Sequence, residues 1–596
     1  MRVSTVLLSV CLYNALVVLA QDFRPASPVP PTGFQPATPL TPPTAAARAA
    51  CKAIPAGKDW PSDLQWGALN TAVRGRLLKP AAPAAACHRG QPGYSTASCS
   101  AIESGWKNGD WHVDHPTSNM WQNHNNYSCM PSSNQCSTSG YPIYVVAAKE
   151  ASDVKAAVDF ARIFNVRLNI KSTGHDFLGR SVQPNSLSIW THGLKSMRWF
   201  NSSFSPKGCK APINGPAVTV GSGSQWKDIY ATAEGMGLSF VGGKFSSVSV
   251  GGFLANGGHG LLSAKYGLGA DMVLEIELVT ADGEIITANE CQNTDYFWAM
   301  RGGGGSTYGV VLSYTIQGLR LGPMAKYSGT VNGWPQIAYL HSQWPKIAMA
   351  GGAGYITGYP GRGDAVRWSV NMPNSTSVQL RAIVDPIVNG LKGRSVATAQ
   401  NGSSEVENGL SENLKPHIVA QNEAAATFAG MGANKILTSW LWSARDVASP
   451  SLLQALKGAF ADSDSQLYND ATMGVGTHKP PYIRGGGNAV NPAFRTAIMR
   501  PAAELQWDGV DRAKLARRQQ DALRYGAALK SLNPSGGTYA NEADPASPDW
   551  QHAFWGQNYE RLFAIKNKVD PQGVFYCRSC VGSELFVDRA GVLCRK

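Results

Sequence analysis

Seven glycines lie within nineteen residues of this chain, in the stretch GGKFSSVSVGGFLANGGHG from Gly242 to Gly260. Because glycine has no side chain, such a stretch cannot fill a hydrophobic core. Its backbone can instead adopt positive φ angles and approach another group closely. The stretch therefore predicts a segment of chain that lies against a flat ring.

A second stretch, VRLNIKSTGHDFLGRS from Val166 to Ser181, combines a strand with a polar loop. Val166, Leu168 and Ile170 alternate with polar residues, which predicts a short, half-buried strand. The small residues that follow leave backbone amides free to form an anion-binding concavity, which suits a pyrophosphate. His175 follows the glycine of this loop. Taken alone, the loop is more typical of a polar turn with a solvated histidine.

The residues around these stretches predict a β-α-β unit. Tyr144, Val145 and Val146 are typical of a strand, and Ser152 is a candidate N-cap for a helix whose apolar residues follow helical spacing through residue 164. A further helix is predicted at residues 226–235, and a further strand at residues 273–280.

Taken in order, these stretches resemble the PCMH-type FAD-binding domain of the vanillyl-alcohol-oxidase and berberine-bridge-enzyme flavoproteins, in particular the secreted fungal, isoamyl-alcohol-oxidase-like branch. The matching runs between about Tyr141 and Gly318 are KSTGHD, SVSVGG, LSAKYGLGAD, VTADG and DYFWAMRGGGG. Near the C-terminus, WGQNYERL and DPQGVF resemble the closing motif of the family. This last segment is also typical of an amphipathic helix followed by Asp-Pro, and both interpretations can hold.

The resemblance implies an α+β fold with a PCMH-type FAD-binding domain of two subdomains. It also implies an α+β substrate domain with an antiparallel sheet, and a C-terminal segment that returns to the FAD domain. The expected boundaries are a signal peptide at residues 1–20, a Pro-rich leader at 21–50, a Cys-rich cap at 51–140, the FAD domain at 141–322, the substrate domain at 323–544 and the C-terminal segment at 545–596.

The resemblance further implies FAD as the cofactor, bonded through its 8α-methyl group to His175. A neutral imidazole is the nucleophile that such a bond requires. The other residues implied to contact the cofactor are Lys171, Ser172, Thr173, Gly174, Asp176, Ser247, Val248, Gly251, Gly252, Asn256, Gly257, His259, Ile286 and Asn558.

Two positions refine this expectation. Members with a doubly attached flavin carry a cysteine at the position that aligns with Phe245, and this chain has no cysteine between Cys209 and Cys291. A single covalent link through His175 is therefore expected. Val248 aligns with the position that controls access of oxygen, where a small aliphatic residue is typical of the oxidases.

The catalytic base is the least constrained part of the site. The segment THKPPYIRGGGNAVNPAFR resembles a substrate-domain strand that faces the flavin in the family. Its candidate bases and substrate contacts are Tyr482, His478, Arg484 and Asn491. Any of them is also explained as an ordinary strand residue.

The N-terminus and the cysteines indicate passage through the secretory pathway. Arg2 precedes an apolar run that ends at Ala20, and a Pro-rich segment follows, which favours a cleaved signal peptide over a membrane anchor. Ten of the eleven cysteines lie beyond this run, an even number that allows up to five disulfides. The C-x-x-C at residues 577–580 fits a structural bridge better than a redox or metal motif. Glycosylation sequons occur at Asn126, Asn201, Asn374 and Asn401.

Composition excludes several other classes. Hydrophobic residues make up 43% of the 596 residues and charged residues 16%, as in a globular protein. The net charge of +13 is spread along the chain without a basic block, a zinc-finger spacing or an RNP motif, so no nucleic-acid partner is expected. No later apolar run is long enough to span a membrane. His112, Asp114, His115 and His124 lie close together, but their spacing matches no standard metal site, and no metal is expected.

The sequence therefore predicts a secreted FAD-linked oxidase that takes hydride from a small-molecule alcohol or secondary metabolite and passes the electrons to O2. An FAD-dependent dehydrogenase or an oxidative cyclase of secondary metabolism is the alternative within the class. A serine hydrolase is disfavoured because no G-x-S-x-G occurs, and a nicotinamide enzyme because no G-x-G-x-x-G opens a helix. A secreted glycan binder would explain the cysteines and sequons but not the glycine-rich runs.

Overall fold

The computed structural model describes residues 51–394, 409–413 and 431–596. The predicted signal peptide, the Pro-rich leader and the sequon at Asn401 lie outside the described residues.

The strands alternate with helices along most of the chain. In chain order the strands are β1 Leu77–Leu78, β2 Tyr144–Ala147, β3 Arg167–Lys171, β4 Ser186–Trp190, β5 Met197–Phe200, β6 Ser203–Phe204, β7 Ile213–Asn214, β8 Ala217–Gly221, β9 Val273–Val279, β10 Ile285–Asn289, β11 Val310–Gln317, β12 Met324–Val331, β13 Ala353–Gly358, β14 Val366–Pro373, β15 Gly409–Asn413, β16 Asn434–Ser439, β17 Trp442–Ser443, β18 Gln466–Ala471, β19 Ala497–Trp507, β20 Phe586–Arg589 and β21 Val592–Arg595.

The α-helices range from one turn to five turns. They are α1 Asp63–Ala72, α2 Thr96–Gly105, α3 Gly109–Asp114, α4 Ala151–Ile163, α5 Trp226–Gly235, α6 Val250–Ala255, α7 Ser263–Tyr266, α8 Thr294–Ala299, α9 Trp334–Met349, α10 Ser377–Lys392, α11 Ala444–Val447, α12 Leu452–Phe460, α13 Val475–His478, α14 Arg512–Lys530, α15 Trp550–Trp555 and α16 Tyr559–Val569.

The predicted β-α-β unit forms the first sheet, which has the order β1-β2-β4-β3. Strands β2 and β3 both pair with β4 in parallel, so β4 lies between the two strands that α4 connects. Helix α4 buries Val154, Ala157, Val158 and Ala161, the apolar positions predicted from its helical spacing. This unit carries the loop of His175 at the end of β3.

The N-cap of α4 differs from the prediction. The cap is Glu150 and not Ser152. The reason is Asp153, whose carboxylate accepts the backbone amides of Lys149 at 3.0 Å and Glu150 at 3.3 Å and so starts the helix earlier.

The second sheet is antiparallel, with the order β10-β9-β11-β8-β5. Helix α5, at the predicted residues, packs Trp226, Ile229 and Tyr230 into its core. Helix α6 begins within the glycine-rich stretch and ends at Ala255. The two sheets correspond to the two subdomains expected for a flavin-binding domain.

The third and largest sheet contains the antiparallel order β15-β12-β14-β13-β18-β19-β16. Its strands come from the segment predicted to form the substrate domain. Helices α9, α10, α12 and α14 supply buried apolar residues to the same core. The predicted α+β class with an antiparallel substrate sheet is therefore confirmed.

The C-terminal segment returns to the first sheet, as expected. Phe575 forms a parallel bridge with Leu168 of β3, and a disulfide joins Cys594 to Cys51. The ammonium group of Lys566 donates to the carbonyl oxygens of Thr307 at 2.7 Å and Phe575 at 2.8 Å. The last residues are thus held against the segment that carries His175.

Every cysteine from residue 51 onward is in a disulfide. The pairs are Cys51–Cys594, Cys87–Cys99, Cys129–Cys136, Cys209–Cys291 and Cys577–Cys580. Cys577 and Cys580 are bonded to each other, and that this bridge is structural stays a prediction. Among the described helices, none has the length and apolar character needed to cross a bilayer.

Candidate active site

His175 faces a cavity of about 1550 Å³, including the space at its open mouth. The imidazole follows Gly174, whose φ is +84°. A side chain at Gly174 would come within 3.2 Å of the carbonyl oxygen of Ser118, so both the backbone angle and the packing require glycine here. The turn is what brings His175 from the end of β3 into the cavity.

The imidazole of His175 has a defined partner and environment. Its Nε2 lies 2.9 Å from the hydroxyl oxygen of Ser247, and its backbone carbonyl accepts a 3.4 Å bond from the indole of Trp121. Burial, together with the nearby His112 and Lys171, lowers the pKa of His175 to about 3. His175 is therefore neutral, and a nucleophile, at any pH well above 3.

The glycine-rich stretch forms a second wall of the cavity. A side chain at Gly252 would meet no atom within 4 Å, so glycine keeps this part of the cavity open. At Gly251 an added Cβ would lie 2.9 Å from the carbonyl oxygen of Ser222. The hydroxyl of Ser222 and the side-chain oxygen of Asn256 are buried in this wall without a hydrogen-bond partner among the described residues.

These features fit FAD. Buried polar atoms without a partner need a ligand or water to satisfy them, and a flavin dinucleotide presents hydrogen-bonding groups along its length.

Most of the residues predicted to contact the cofactor line this cavity. They are Ser172, Thr173, Gly174, His175, Asp176, Val248, Gly251, Gly252, Asn256 and His259. Five others do not line it: Lys171, Ser247, Gly257, Ile286 and Asn558. Ser247 still contacts His175, whereas Ile286 packs against the core of the second sheet.

Lys171 has a structural role. Its ammonium group is fully buried and donates to the carbonyl oxygens of His112 and Val113 at 3.2 Å and of His115 at 2.8 Å. Burial lowers the pKa of Lys171 to about 7. Lys171 thus holds the segment around α3 against β3 and does not point into the cavity.

The wall opposite these motifs comes from the large sheet. Tyr355 lies on β13, Tyr468 and Asp470 lie on β18, and Glu504 lies on β19. Residues 468 and 470 share a face because side chains alternate along a strand. Lys244, Tyr539 and Glu542 complete this wall, with the ammonium of Lys244 4.0 Å from the centre of the Tyr355 ring. None of these residues was predicted from the sequence.

A buried network of charges lies behind this wall. Arg500, which is 0% exposed, pairs with both Asp470 and Glu542, and Lys435 pairs with Glu504. His259 Nε2 lies 3.9 Å from Asp470 and 4.0 Å from Glu542, while its Nδ1 lies 3.1 Å from the hydroxyl of Thr472. Burial lowers the pKa of His259 to about 4, so this imidazole is neutral.

The structure does not bring the predicted catalytic residues to the His175 cavity. His478 and Tyr482 line a second cavity, together with Arg484 and Asn558. His478 Nε2 lies 2.8 Å from the carbonyl oxygen of Ala497.

Asn491 is buried away from both cavities. Its side chain accepts from the amide of Ala493 at 2.9 Å and donates to the carbonyl of Ala553 at 2.8 Å. The prediction for this segment rests on its resemblance in sequence, but in the structure these side chains do not line the His175 cavity.

That His112, Asp114, His115 and His124 bind no metal stays a prediction, and the structure places His112 and Asp114 in helix α3. His112 lies 2.7 Å from the hydroxyl of Ser118 and 2.6 Å from the carbonyl of Trp106. Within the described ranges, the groups of three donors close enough to share an ion are His88, Cys129 and Cys136, and His259, Asp470 and Glu542. The first contains a disulfide, and in the second Arg500 already pairs with both carboxylates.

Comparisons with known proteins match this architecture. The sequence model described as "FAD binding domain" matches residues 142–289, and the one described as "Berberine and berberine like" matches residues 538–581. A VAO-type flavoprotein oxidase of Thermothelomyces thermophilus is 32% identical over 91% of this chain and 95% of its own length. A bifunctional decalin synthase of Penicillium decumbens is 32% identical over 92% of this chain and 96% of its own length.

A solved structure agrees with these sequence matches. The crystal structure of the VAO-type flavoprotein MtVAO615 from Myceliophthora thermophila C1 superposes with a TM-score of 0.83 at 31% identity, over 92% of this chain and all of the other. The PCMH-type flavin-binding fold expected from the sequence is therefore confirmed.

Proposed function

Because the chain belongs to the family of VAO-type, berberine-bridge-like FAD-linked oxidoreductases, we propose that it is a secreted oxidase of small-molecule alcohols or secondary metabolites that uses O2 as electron acceptor. The observation that carries the proposal is the neutral imidazole of His175, which contacts Ser247 and lines the glycine-rich cavity.

FAD, when bound, supplies the acceptor for a hydride from the substrate. The residues suited to hold it are Ser172, Thr173 and Gly174 at the end of β3, and Gly251, Gly252 and Asn256 in and after α6. Their small side chains and backbone amides allow close approach of an extended, anionic dinucleotide. The unpartnered oxygens of Ser222 and Asn256 provide hydrogen-bonding sites within the same wall.

His175 is proposed as the single covalent attachment point. Its low pKa keeps the imidazole neutral, which is the form able to bond to carbon. Phe245 lines the cavity where a thiol would be needed for a second bond, and each cysteine of the described chain is already in a disulfide. A covalent link also prevents loss of the cofactor outside the cell.

Oxygen is proposed as the electron acceptor because of Val248. This residue lines the cavity next to Phe245, and its backbone is fixed by bonds to Phe245 and Trp226. A small aliphatic side chain at this point leaves a path for a small apolar gas. This placement supports an oxidase over the dehydrogenase alternative.

The walls of the cavity indicate the class of substrate. Trp121, Phe177, Tyr355, Tyr468 and Leu437 provide large apolar surfaces, which suit an aromatic or aliphatic body. The carboxylates Asp470, Glu504 and Glu542 disfavour an anionic substrate by charge repulsion. A neutral alcohol with an apolar body fits both features.

Secretion is proposed from the signal-like N-terminus and the disulfides. Five disulfides are typical of proteins that fold in an oxidising compartment. Three sequon asparagines, Asn126, Asn201 and Asn374, are exposed and available for glycosylation.

The proposal is tested on the secreted, purified protein. We expect a yellow protein whose colour stays in the pellet after acid precipitation, and formation of hydrogen peroxide in a screen of neutral alcohols. A colourless protein would contradict the flavin assignment. A yellow protein whose reduced form is reoxidised by dichlorophenolindophenol but not by O2 would instead identify a dehydrogenase.

A further inference from the structure

The residue before Glu542 is hydrogen-bonded to both of the stretches that line the His175 cavity, the one that contains the KSTGHD loop and the glycine-rich one. The amide group of the preceding residue, Asn541, donates to the carbonyl oxygen of Gly252 at 3.1 Å and accepts from the guanidinium of Arg180 at 2.8 Å. Arg180 in turn donates to Asp176, next to His175, at 2.6 Å. These bonds place the Glu542 loop at the junction between the cofactor wall and the large sheet.

Glu542 is also the most accessible of three carboxylates in the cavity wall. Its side chain is 22% exposed, against 3% for Asp470 and 8% for Glu504. Arg500 is shared between Glu542 and Asp470, whereas Glu504 has Lys435 to itself. Three carboxylates thus lie beside two paired cations, and the ammonium of Lys244, in the same wall, also interacts with Asp470.

The groups that face Glu542 come from every surrounding element. Its carboxylate pairs with Arg500, and one oxygen lies 4.0 Å from His259 Nε2. The other charged or titratable groups that act on it or are affected by it are Lys435, Glu504, Asp470, Tyr468, Tyr355 and Tyr539.

The balance of these groups favours a proton on Glu542. Burial raises the pKa of Glu542 to about 7, with Asp470 and Glu504 adding to the effect and Arg500 and Lys435 opposing it. Burial also raises the pKa values of Tyr355 and Tyr468 well above those of free phenols, so both remain neutral hydrogen-bond donors. His259 is neutral, but its Nε2 faces the two carboxylates and not open space.

We propose that Glu542 is the general base of the oxidation, the group that takes the hydroxyl proton of the substrate. The inference rests on the proposed function. In the step, the O–H bond breaks and its proton moves to a carboxylate oxygen of Glu542. The C–H hydrogen leaves with its electron pair to the FAD of this family, which is reduced, and the alcohol is oxidised to a carbonyl. Tyr355 and Tyr468 hold the substrate oxygen, while Arg500 and Asp470 position Glu542.

The first test needs no substrate. Infrared difference spectra of the holoprotein between pH 5 and 9 are expected to show a carboxylic-acid C=O band that is lost as the pH rises through about 7. The band is expected to be absent from Glu542→Gln and retained in Glu290→Gln, a matched change beside Arg484 at the second cavity. A spectrum of Glu542→Gln identical to that of the wild type would overturn the proposal.

The second test measures anaerobic flavin reduction by the best alcohol from the peroxide screen. Because a base acts only when deprotonated, the wild-type rate is expected to rise with pH through about 7 and then level off. In Glu542→Gln the rate is expected to fall by about 10²- to 10⁴-fold and to lose this pH dependence. Glu542→Asp is expected to recover part of the rate, and Glu290→Gln to match the wild type. A Glu542→Gln rate within about twofold of the wild type would contradict the role.

The proposed function and the role of Glu542 would be contradicted by different results. If the wild type lacks a covalent flavin, the proposed function fails. If the wild type and Glu542→Gln both retain the flavin and are reduced at the same rate, the oxidase stands and only the role of Glu542 fails.

Discussion

The two cavities of this protein use charged side chains in opposite ways. The wall that the large sheet contributes to the His175 cavity has the carboxylates Asp470, Glu504 and Glu542 among aromatic side chains, and Glu542 is the most exposed of the three. The second cavity is lined by four arginines, Arg301, Arg484, Arg495 and Arg561.

The arginines of the second cavity are largely engaged in holding the structure together. Arg495 pairs with Asp271 through both terminal nitrogens, and Arg484 pairs with Glu290. Arg301 donates to the carbonyl of Phe297 and, across the cavity, to that of Gly487. In the His175 cavity, Glu542 instead shares Arg500 with Asp470, and its side chain remains 22% exposed.

The largest expected effect is on covalent retention of the flavin, which should depend on the His175 cavity and not on the second cavity. His175→Ala removes the only proposed attachment atom, so we expect complete loss of covalent flavin. His478→Ala, at the second cavity, is expected to retain it fully. Flavin fluorescence of the denatured protein on an acidified gel measures the difference, and a fluorescent band for His175→Ala would contradict the assignment.

A smaller but still large effect is expected on stability. Arg500→Met leaves the buried carboxylate of Asp470 and the partly buried one of Glu542 without their cation, which is expected to lower the free energy of unfolding by about 3–5 kcal/mol. Arg484→Met breaks a pair in which both side chains are partly exposed, and a change of about 0–1 kcal/mol is expected. Denaturant titration of both holoproteins measures the two changes in the free energy of unfolding. Equal changes in the two variants would contradict the expectation.

An effect on oxygen is expected at Val248. A bulkier side chain in Val248→Leu narrows the space beside Phe245, so the reduced enzyme should react with O2 about tenfold more slowly, equivalent to about 1.4 kcal/mol in the barrier. Reduction by substrate should change much less. Stopped-flow reoxidation measures the first rate and anaerobic mixing the second; an unchanged reoxidation rate would argue against a gate at this residue.

The smallest effects are expected at the second cavity. Tyr482→Phe and His478→Gln alter residues that do not line the His175 cavity, so kcat/KM is expected to stay within about twofold of the wild type. A hundredfold loss of kcat/KM in either variant would indicate that this segment is catalytic. It would contradict the proposal that the His175 cavity alone is the active site.

The part of the His175 cavity formed by the KSTGHD loop and the glycine-rich stretch could be predicted, because each of these stretches is short and continuous in sequence. Gly174 has a positive φ, and a side chain at Gly251 would collide with the backbone of Ser222; such requirements are visible in a short stretch of sequence. Helix α5 likewise occurs at the predicted residues because its apolar spacing and its burial agree.

The wall that the large sheet contributes to the His175 cavity could not be predicted, because its residues come together only through the register of that sheet. Tyr355 pairs with Asp470 across β13 and β18, although more than one hundred residues separate them in sequence. Glu542 joins them from the segment after α14, at the start of the region that the berberine-like sequence model matches and ahead of the WGQNYERL run. The resemblance instead directed attention to Tyr482 and its neighbours, whose loop is held at the second cavity by Arg301 and Arg495.

The most direct test of the account is the mass of one tryptic peptide. Cleavage after Lys171 and Arg180 releases STGHDFLGR, residues 172–180, which contains His175 and no other histidine. We predict that this peptide from the wild-type protein carries one flavin adduct on the imidazole, and that no second bond links the flavin to another peptide. An unmodified STGHDFLGR peptide, or a flavin found on any other residue, would contradict the account.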